Sequence, residues 1–216
     1  MAPNGRGRQV DRDEKDNPYV SRGGLKLRAA LDAFHLRPDG WVCADFGANV
    51  GGFTDCLLAA GARRVYAVDT GYGELAWKLR TDPRVVVMER TNALYAAPPE
   101  PVDLVTIDVA FTPQRLIVPA AARWVRPGGH IVSLLKPHYE TAKLGGPRPA
   151  PRQGPLLDEQ AESVARKVCQ ELEAMGMPPA GRIASPLKGK GGNTEFLLHI
   201  RPPAAGERKT GKVISS

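Results

Sequence analysis

The stretch Trp41-Val42-Cys43-Ala44-Asp45-Phe46-Gly47-Ala48-Asn49-Val50-Gly51-Gly52-Phe53 limits what this chain can fold into more than any other. A short apolar run ends in an acid and then breaks into close glycines, the pattern of a buried strand entering a tight turn at a helix N-terminus. Phe53 to Leu58 reads as that helix, with Gly61 as its stop. Such a turn holds a ligand in the crevice at the carboxyl edge of a sheet. A second strand, from Arg64 to Asp69, ends in an acid about 20 residues after the turn, where nucleotide-binding folds grip ribose hydroxyls.

Charge narrows the ligand. The dinucleotide fingerprint Gly-x-Gly-x-x-Gly brings a pyrophosphate against the loop, but the glycines here are Gly47, Gly51 and Gly52, and Asp45 stands two residues before the first. A carboxylate there repels a pyrophosphate. It suits a ligand with a cationic amino-acid end and an adenosine end, S-adenosylmethionine: ammonium toward Asp45, carboxylate toward the helix N-terminus, ribose on Asp69.

The rest of the chain repeats the alternation. Ser21 is a candidate N-cap for a helix through Leu27, Ala30, Leu31 and Phe34, with Lys26 on its flank. A short helix from Glu74 to Arg80 and a strand Val85 to Met88 follow. Val102 to Asp108 is a fourth strand ending in an acid, and Pro113 opens a helix through Val118, Ala122 and Val125 that Pro127-Gly128-Gly129 stops. His130 to Leu135 is the fifth strand and delivers Lys136. The longest helix carries Ala161, Val164, Ala165, Val168, Leu172 and Met175 on one face. The last two strands, Ile183 to Ser185 and Glu195 to Ile200, have only a Gly-rich link between them, which predicts an antiparallel pair.

Apolar strands alternating with helices predict an α/β fold: a doubly wound parallel sheet, closed by that C-terminal hairpin as in the Rossmann-like class I methyltransferases. Residues 145–155, rich in Pro, Gly and Arg, read as a loop at the ligand edge. The expected organisation is a loosely held tail over residues 1–18, one domain over 19–202, and a basic tail over 203–216.

Topology brings distant residues together. Asp108 and Lys136 end neighbouring strands about 4.8 Å apart. An antiparallel last strand beside the fifth would begin at the same edge, placing Glu195 next to Lys136. A lysine between two carboxylates beside a methyl donor is a much sharper constellation than any one charge at a strand end.

At 216 residues, 42% hydrophobic and 25% charged, the chain builds one α/β domain with a sizeable core. A net charge of +7 favours a polyanionic partner. Cys43, Cys56 and Cys169 lack metal or redox spacing, and no metal site is expected. They read as small core residues in a reducing compartment. The sequence contains neither a membrane-spanning apolar run nor the apolar segment of a signal peptide, so a cytoplasmic location is expected.

Several ordered blocks resemble a known family: Tyr19-Val20-Ser21-Arg22-Gly23-Gly24-Leu25-Lys26-Leu27, Gly51-Gly52-Phe53-Thr54-Asp55, Val65-Tyr66-Ala67-Val68-Asp69, Leu75-Ala76-Trp77-Lys78-Leu79-Arg80, Glu89-Arg90-Thr91-Asn92, Leu135-Lys136-Pro137 and Gly192-Asn193-Thr194-Glu195-Phe196-Leu197. They are similar to the hemolysin A-type (TlyA) rRNA methyltransferases, among the FtsJ-like ribose 2′-O-methyltransferases. The resemblance spans Tyr19 to Ile200 and implies a Lys-Asp-Lys-Glu tetrad, here Lys26, Asp108, Lys136 and Glu195. Phe53, Asn92 and Asp108 join Asp45, Gly47, Gly51, Gly52 and Asp69 as the expected S-adenosylmethionine site. The implied partner is ribosomal RNA or a ribosomal subunit, and the implied acceptor a cytidine ribose. No counterpart of the family's S4-type RNA-binding domain precedes Tyr19 in this sequence. Asn49-Val50 replaces small hydroxyl residues in the loop, and Pro137-His138-Tyr139-Glu140 replaces Pro-Gln-Phe-Glu.

The implied chemistry is displacement at a sulfonium methyl by a ribose 2′-hydroxyl, a poor nucleophile until its proton is held or removed. Lys136 serves as an ammonium that stabilises alkoxide or as a neutral base, with Asp108 orienting it. Glu195 positions Lys136 or the ribose, and Lys26 adds a cation toward RNA. Two other readings share the fold: a methyltransferase for a protein or small molecule, which needs no second lysine or basic surface, and a non-catalytic RNA-binding protein, which would have no use for the full tetrad.

Overall fold

The computed structural model describes residues 17–140 and 155–203. The expected tails, and all but the last residue of the Pro-rich loop, lie outside the described residues. Along the chain run α1 (Gly23–Ala33), β1 (Val42–Phe46), α2 (Gly52–Ala59), β2 (Arg64–Val68), α3 (Trp77–Arg80), β3 (Val85–Met88), β4 (Val102–Ile107), α4 (Gln114–Ala122), β5 (Val125–Leu135), α5 (Pro137–Glu140), α6 (Asp158–Ala174), β6 (Pro179–Ala184) and β7 (Phe196–Ile200). The seven strands form one sheet in the order β3-β2-β1-β4-β5-β7-β6. β1 to β5 are mutually parallel, and β7 runs antiparallel between β5 and β6.

Strands buried on both faces need helices on both. Leu27, Ala30 and Leu31 of α1 and Phe53, Cys56 and Leu57 of α2 cover one face. Ile117, Val118 and Ala121 of α4 and Ala161, Ala165, Val168 and Leu172 of α6 cover the other, around the fully buried Trp124. α1 and α2 meet through small residues: a Cβ on Gly52 would stand 2.1 Å from Ser21 Oγ and 3.0 Å from the Gly24 nitrogen. That close approach seats Lys26 over the carboxyl edge of the sheet.

Four expectations change. Ser21 does not cap α1; Arg22 flanks the helix without a side-chain cap, and the Ser21 carbonyl accepts the Gly24 N–H at 3.1 Å. The Glu74 helix shrinks to one turn at Trp77, because Ala76 is extended (ψ 139°) and its N–H goes to Val50 O. Val125 belongs to β5, paired with Val102, and the Pro127-Gly128-Gly129 run that reads as a stop is an irregularity inside the strand. A Cβ on Gly129 would stand 2.7 Å from Asp103 O, so glycine lets the two strands stay paired there. β6 starts at Pro179, tolerated because β6 is the sheet edge.

Candidate active site

The carboxyl ends of β1, β4 and β5, with α1 above them, border a cavity of about 450 Å³ lined by Lys26, Gly47, Gly52, Phe53, Asp108 and Lys136. A second cavity, of about 330 Å³, lies toward β2 and β3 and is lined by Asp69, Asn92, Leu94, Val109, Phe111 and Ile117. Gly47, Asn49, Asp108 and Ala110 border both, so the two form one curved cleft.

The loop between β1 and α2 is wound tightly enough to leave the cleft open. Gly47 (φ +83°), Asn49 (φ +47°) and Gly51 (φ +103°) all take left-handed backbone. A Cβ on Gly47 would stand 2.7 Å from Asp108 O, and one on Gly51 would stand 2.2 Å from Leu79 Cδ1. Gly51 therefore serves packing and does not line the cleft. Asn49, which the sequence marks only as a departure from the family's loop, ties the loop together: its N–H donates to Asp69 Oδ2 at 2.8 Å, and its own Oδ1 accepts the Val50 N–H at 2.8 Å. Tolerance of the left-handed region by Asn is the signal that could have found it.

Asp69 also accepts the Gly71 N–H at 2.7 Å and lines the second cavity, each of its oxygens keeping acceptor capacity beyond these bonds. Asn92 lines that cavity while its Oδ1 accepts the Leu94 N–H at 3.0 Å. Asp45 is different from expectation. It is 0% exposed, lines neither cavity, and accepts the hydroxyls of Thr54 at 2.7 Å and Thr106 at 3.2 Å. Burial pushes its carboxyl up to about 7, against the lowering effect of the Thr54 bond. It braces β1, β4 and α2 from behind the loop, and direct contact with a ligand ammonium is not on offer in this arrangement.

The four tetrad residues meet as two ion pairs. Lys136 Nζ lies 2.5 Å from Asp108 Oδ1, without the alignment of a hydrogen bond. Lys26 Nζ donates to Glu195 Oε2 at 2.5 Å, across 169 positions of sequence. Glu195, only 3% exposed, stands behind Lys26. Pairing of Leu135 with Phe196, continued by one residue, sets Glu195 opposite Lys136 as expected, yet its ionic partner is Lys26. A Cβ on Gly189 would stand 2.0 Å from Glu195 Oε1, so this glycine in the β6–β7 link makes room for the carboxylate.

The cleft fits S-adenosylmethionine. Its volume is that of a small-molecule site, and its walls are apolar at Leu94, Val109 and Ile117 with a carboxylate at Asp69. At the first turn of α2, the N–H groups of Gly52 and Phe53 have no carbonyl one turn back and border the first cavity. Among the described residues no cluster of three or more His, Cys, Asp or Glu could hold a metal, and no helix is long and apolar enough to cross a membrane.

Sheet order and cleft together define a class I S-adenosylmethionine-dependent methyltransferase. The FtsJ-like methyltransferase family matches residues 19–201, and the chain belongs to that family. YqxC of Bacillus subtilis is 42% identical over 212 residues, covering 93% of this chain and 74% of YqxC. The 16S/23S rRNA (cytidine-2′-O)-methyltransferase TlyA of Mycobacterium tuberculosis is 43% identical over 192 residues, covering 87% of this chain and 70% of TlyA. A solved structure described as a hemolysin from Streptococcus thermophilus superposes with a TM-score of 0.77 at 38% identity, covering 87% of this chain and 68% of that one.

Proposed function

We propose that this methyltransferase acts on a ribose 2′-hydroxyl of RNA, in ribosomal RNA or a ribosomal subunit, with cytidine as the nucleoside and the cytoplasm as its place of work. The observation that carries the reading is the Lys136–Asp108 pair lining the first cavity, with a second cation, Lys26, in the same lining. An alcohol acceptor is a poor nucleophile until its proton is held or removed, a help that a neutral amine acceptor does not require.

Asp69 would hold the cofactor ribose, Leu94, Val109 and Ile117 the adenine, and the Gly52 and Phe53 N–H groups the methionine carboxylate. S-adenosylmethionine supplies an electrophilic methyl on a cationic sulfur, which leaves as a neutral thioether. Lys136 would meet the acceptor oxygen, either removing its proton as an amine or stabilising its developing charge as an ammonium. Asp108 would fix the aim of Lys136, while Glu195 would hold Lys26 toward the acceptor's phosphates. Phe111, exposed beside Asp108 and tilted against Tyr139 at 4.6 Å, offers a ring face to a nucleobase. Alignment of oxygen and methyl on a rigid strand edge supplies much of the rate.

The test is incubation with methyl-labelled S-adenosylmethionine and ribosomal subunits, followed by alkaline hydrolysis. A 2′-O-methyl group blocks cleavage of its own phosphodiester, so label in an alkali-stable dinucleotide is expected. Label in mononucleotides alone would mean base methylation and would overturn the reading.

A further inference from the structure

One buried polar residue is tied to the chain on both sides of Lys136. Gln114 opens α4 shortly after Asp108 and is 2% exposed. Its Oε1 accepts the Ser133 hydroxyl at 2.6 Å, and its Nε2 donates to Leu134 O at 3.3 Å, which holds β5 just before Lys136. Its backbone N–H donates to Glu140 Oε1 at 2.9 Å, which holds the single turn α5 just after Lys136. The contacts close a ring: along the chain from Asp108 to Gln114, across to Glu140, back through α5 to Lys136, and over the 2.5 Å ion pair to Asp108. The Phe111 and Tyr139 rings brace the same two segments between those ends.

Capping alone does not account for this arrangement. A helix N-terminus is ordinarily satisfied by a local Ser, Thr, Asp or Asn, but Pro113 stands at that place and provides no side-chain cap. A carboxylate 26 positions away takes over the role. Burial pushes that carboxyl up to about 7, even though the Gln114 N–H works against the shift. Glu171 raises it further and Arg115 lowers it. Such a costly group where a serine would cap α4 indicates a second task.

We propose that Glu140, acting through Gln114, is a positioning residue for methyl transfer that fixes Lys136 against Asp108. The proposal rests on the reading of Lys136 as the group at the acceptor hydroxyl. Neither Glu140 nor Gln114 lines either cavity, so any effect on transfer passes through the ring.

The experiment combines kinetics with side-chain NMR of the full chain carrying ¹³C-labelled lysine, the Lys26 and Lys136 signals being assigned with Lys26→Arg and Lys136→Arg. In Glu140→Ala the Lys136 signal should move while the Lys26 signal stays. Its kcat should fall by about 10- to 100-fold, the effect of misplacing a catalytic group by about an ångström, with the cofactor KM within about twofold of wild type. Glu140→Gln retains an acceptor oxygen and should recover both signal and kcat. If Glu140→Ala fails to fold, Glu140→Asp, one methylene shorter, carries the same expectation at roughly 3- to 10-fold. An unmoved Lys136 signal, a wild-type kcat in either shortened variant, or a Glu140→Gln as impaired as Glu140→Ala would each overturn the proposal. The NMR signal needs no RNA: a moved signal in an enzyme that transfers nothing to RNA would strike the choice of acceptor and leave the clamp standing.

Discussion

At the amino edge of the sheet, His130 Nδ1 and His199 Nε2 sit 3.1 Å apart, with His130 stacked on Trp41 and His199 on Phe34. At the carboxyl edge, Lys26, Glu195, Asp108 and Lys136 meet as ion pairs around an open cleft. Both groups are polar residues carried largely by β4, β5 and β7 or their ends. Aromatic cover at the first edge drives histidine toward neutrality: burial, the neighbouring His130 and Arg201 pull His199 down to about 4, and burial chiefly lowers His130. The second edge has cavities where the first has rings, and Lys26, Asp108 and Lys136 line one of them. The contrast teaches that one sheet can close its polar residues under aromatic rings at one end and leave them lining a cleft at the other.

The largest effect that would test the contrast is Lys136→Ala. Transfer should drop by about 10²- to 10⁴-fold, the usual worth of a positioned proton-handling group, while calorimetry shows cofactor affinity nearly unchanged. A large loss of melting temperature in this variant would break the division of labour. Asp108→Ala and Lys26→Ala should also slow transfer, and neither should add fully to Lys136→Ala, because in the proposed mechanism these groups serve one acceptor oxygen.

Next comes Asp69→Ala, which should weaken S-adenosylmethionine binding by about 1.5–3 kcal/mol, the value of hydrogen bonds to a charged group. Equal affinity for NAD in the wild type would undo the assignment of the cleft.

The amino edge predicts a pH effect. His199 binds its proton less tightly folded than unfolded, so its contribution is complete above about 6.5 and is lost as pH falls toward about 4. Between those pH values the unfolding free energy of the wild type should fall by roughly 2 kcal/mol relative to that of His199→Phe, the two proteins sharing the opposite contribution of the raised Asp45 and Glu140 carboxyls. A kcat that changed in His199→Phe at neutral pH would show the two edges to be linked.

The smallest effect separates backbone from side chain in the cleft loop. Asn49→Ala should cost about 1 kcal/mol of stability for a left-handed residue with a Cβ, and Asn49→Gly should sit closer to wild type. Equal destabilisation of the two variants would assign the role of Asn49 to its amide, which both lack.

Strand ends were the most readable part of the sequence, because an apolar run closed by Asp45, Asp69, Asp108 or Lys136 announces both the strand and its functional edge. The antiparallel closure was readable from the short link before Glu195. The Lys26–Glu195 pairing was hidden because it depends on where α1 crosses the sheet, which the Gly52 contact sets and periodicity does not express. Asp45 misled for a related reason. Its position at the end of β1 fits a ligand contact, but Thr54 and Thr106 are brought to it only by α2 and β4. Pro127-Gly128-Gly129 read as a helix stop because a bulge inside a strand carries the same residues as a turn.

The position of β7 between β5 and β6 has a consequence for the order of assembly. β6 precedes β7 in the chain but touches the sheet only through it. During synthesis β6 therefore has no strand to join until Phe196–Ile200 has emerged and paired with β5. The same event delivers Glu195 to Lys26, a helix made near the start of the described chain. Closure of the sheet and completion of the charged site are one step, so a chain halted before β7 carries most of the cleft and half of its ion pairs.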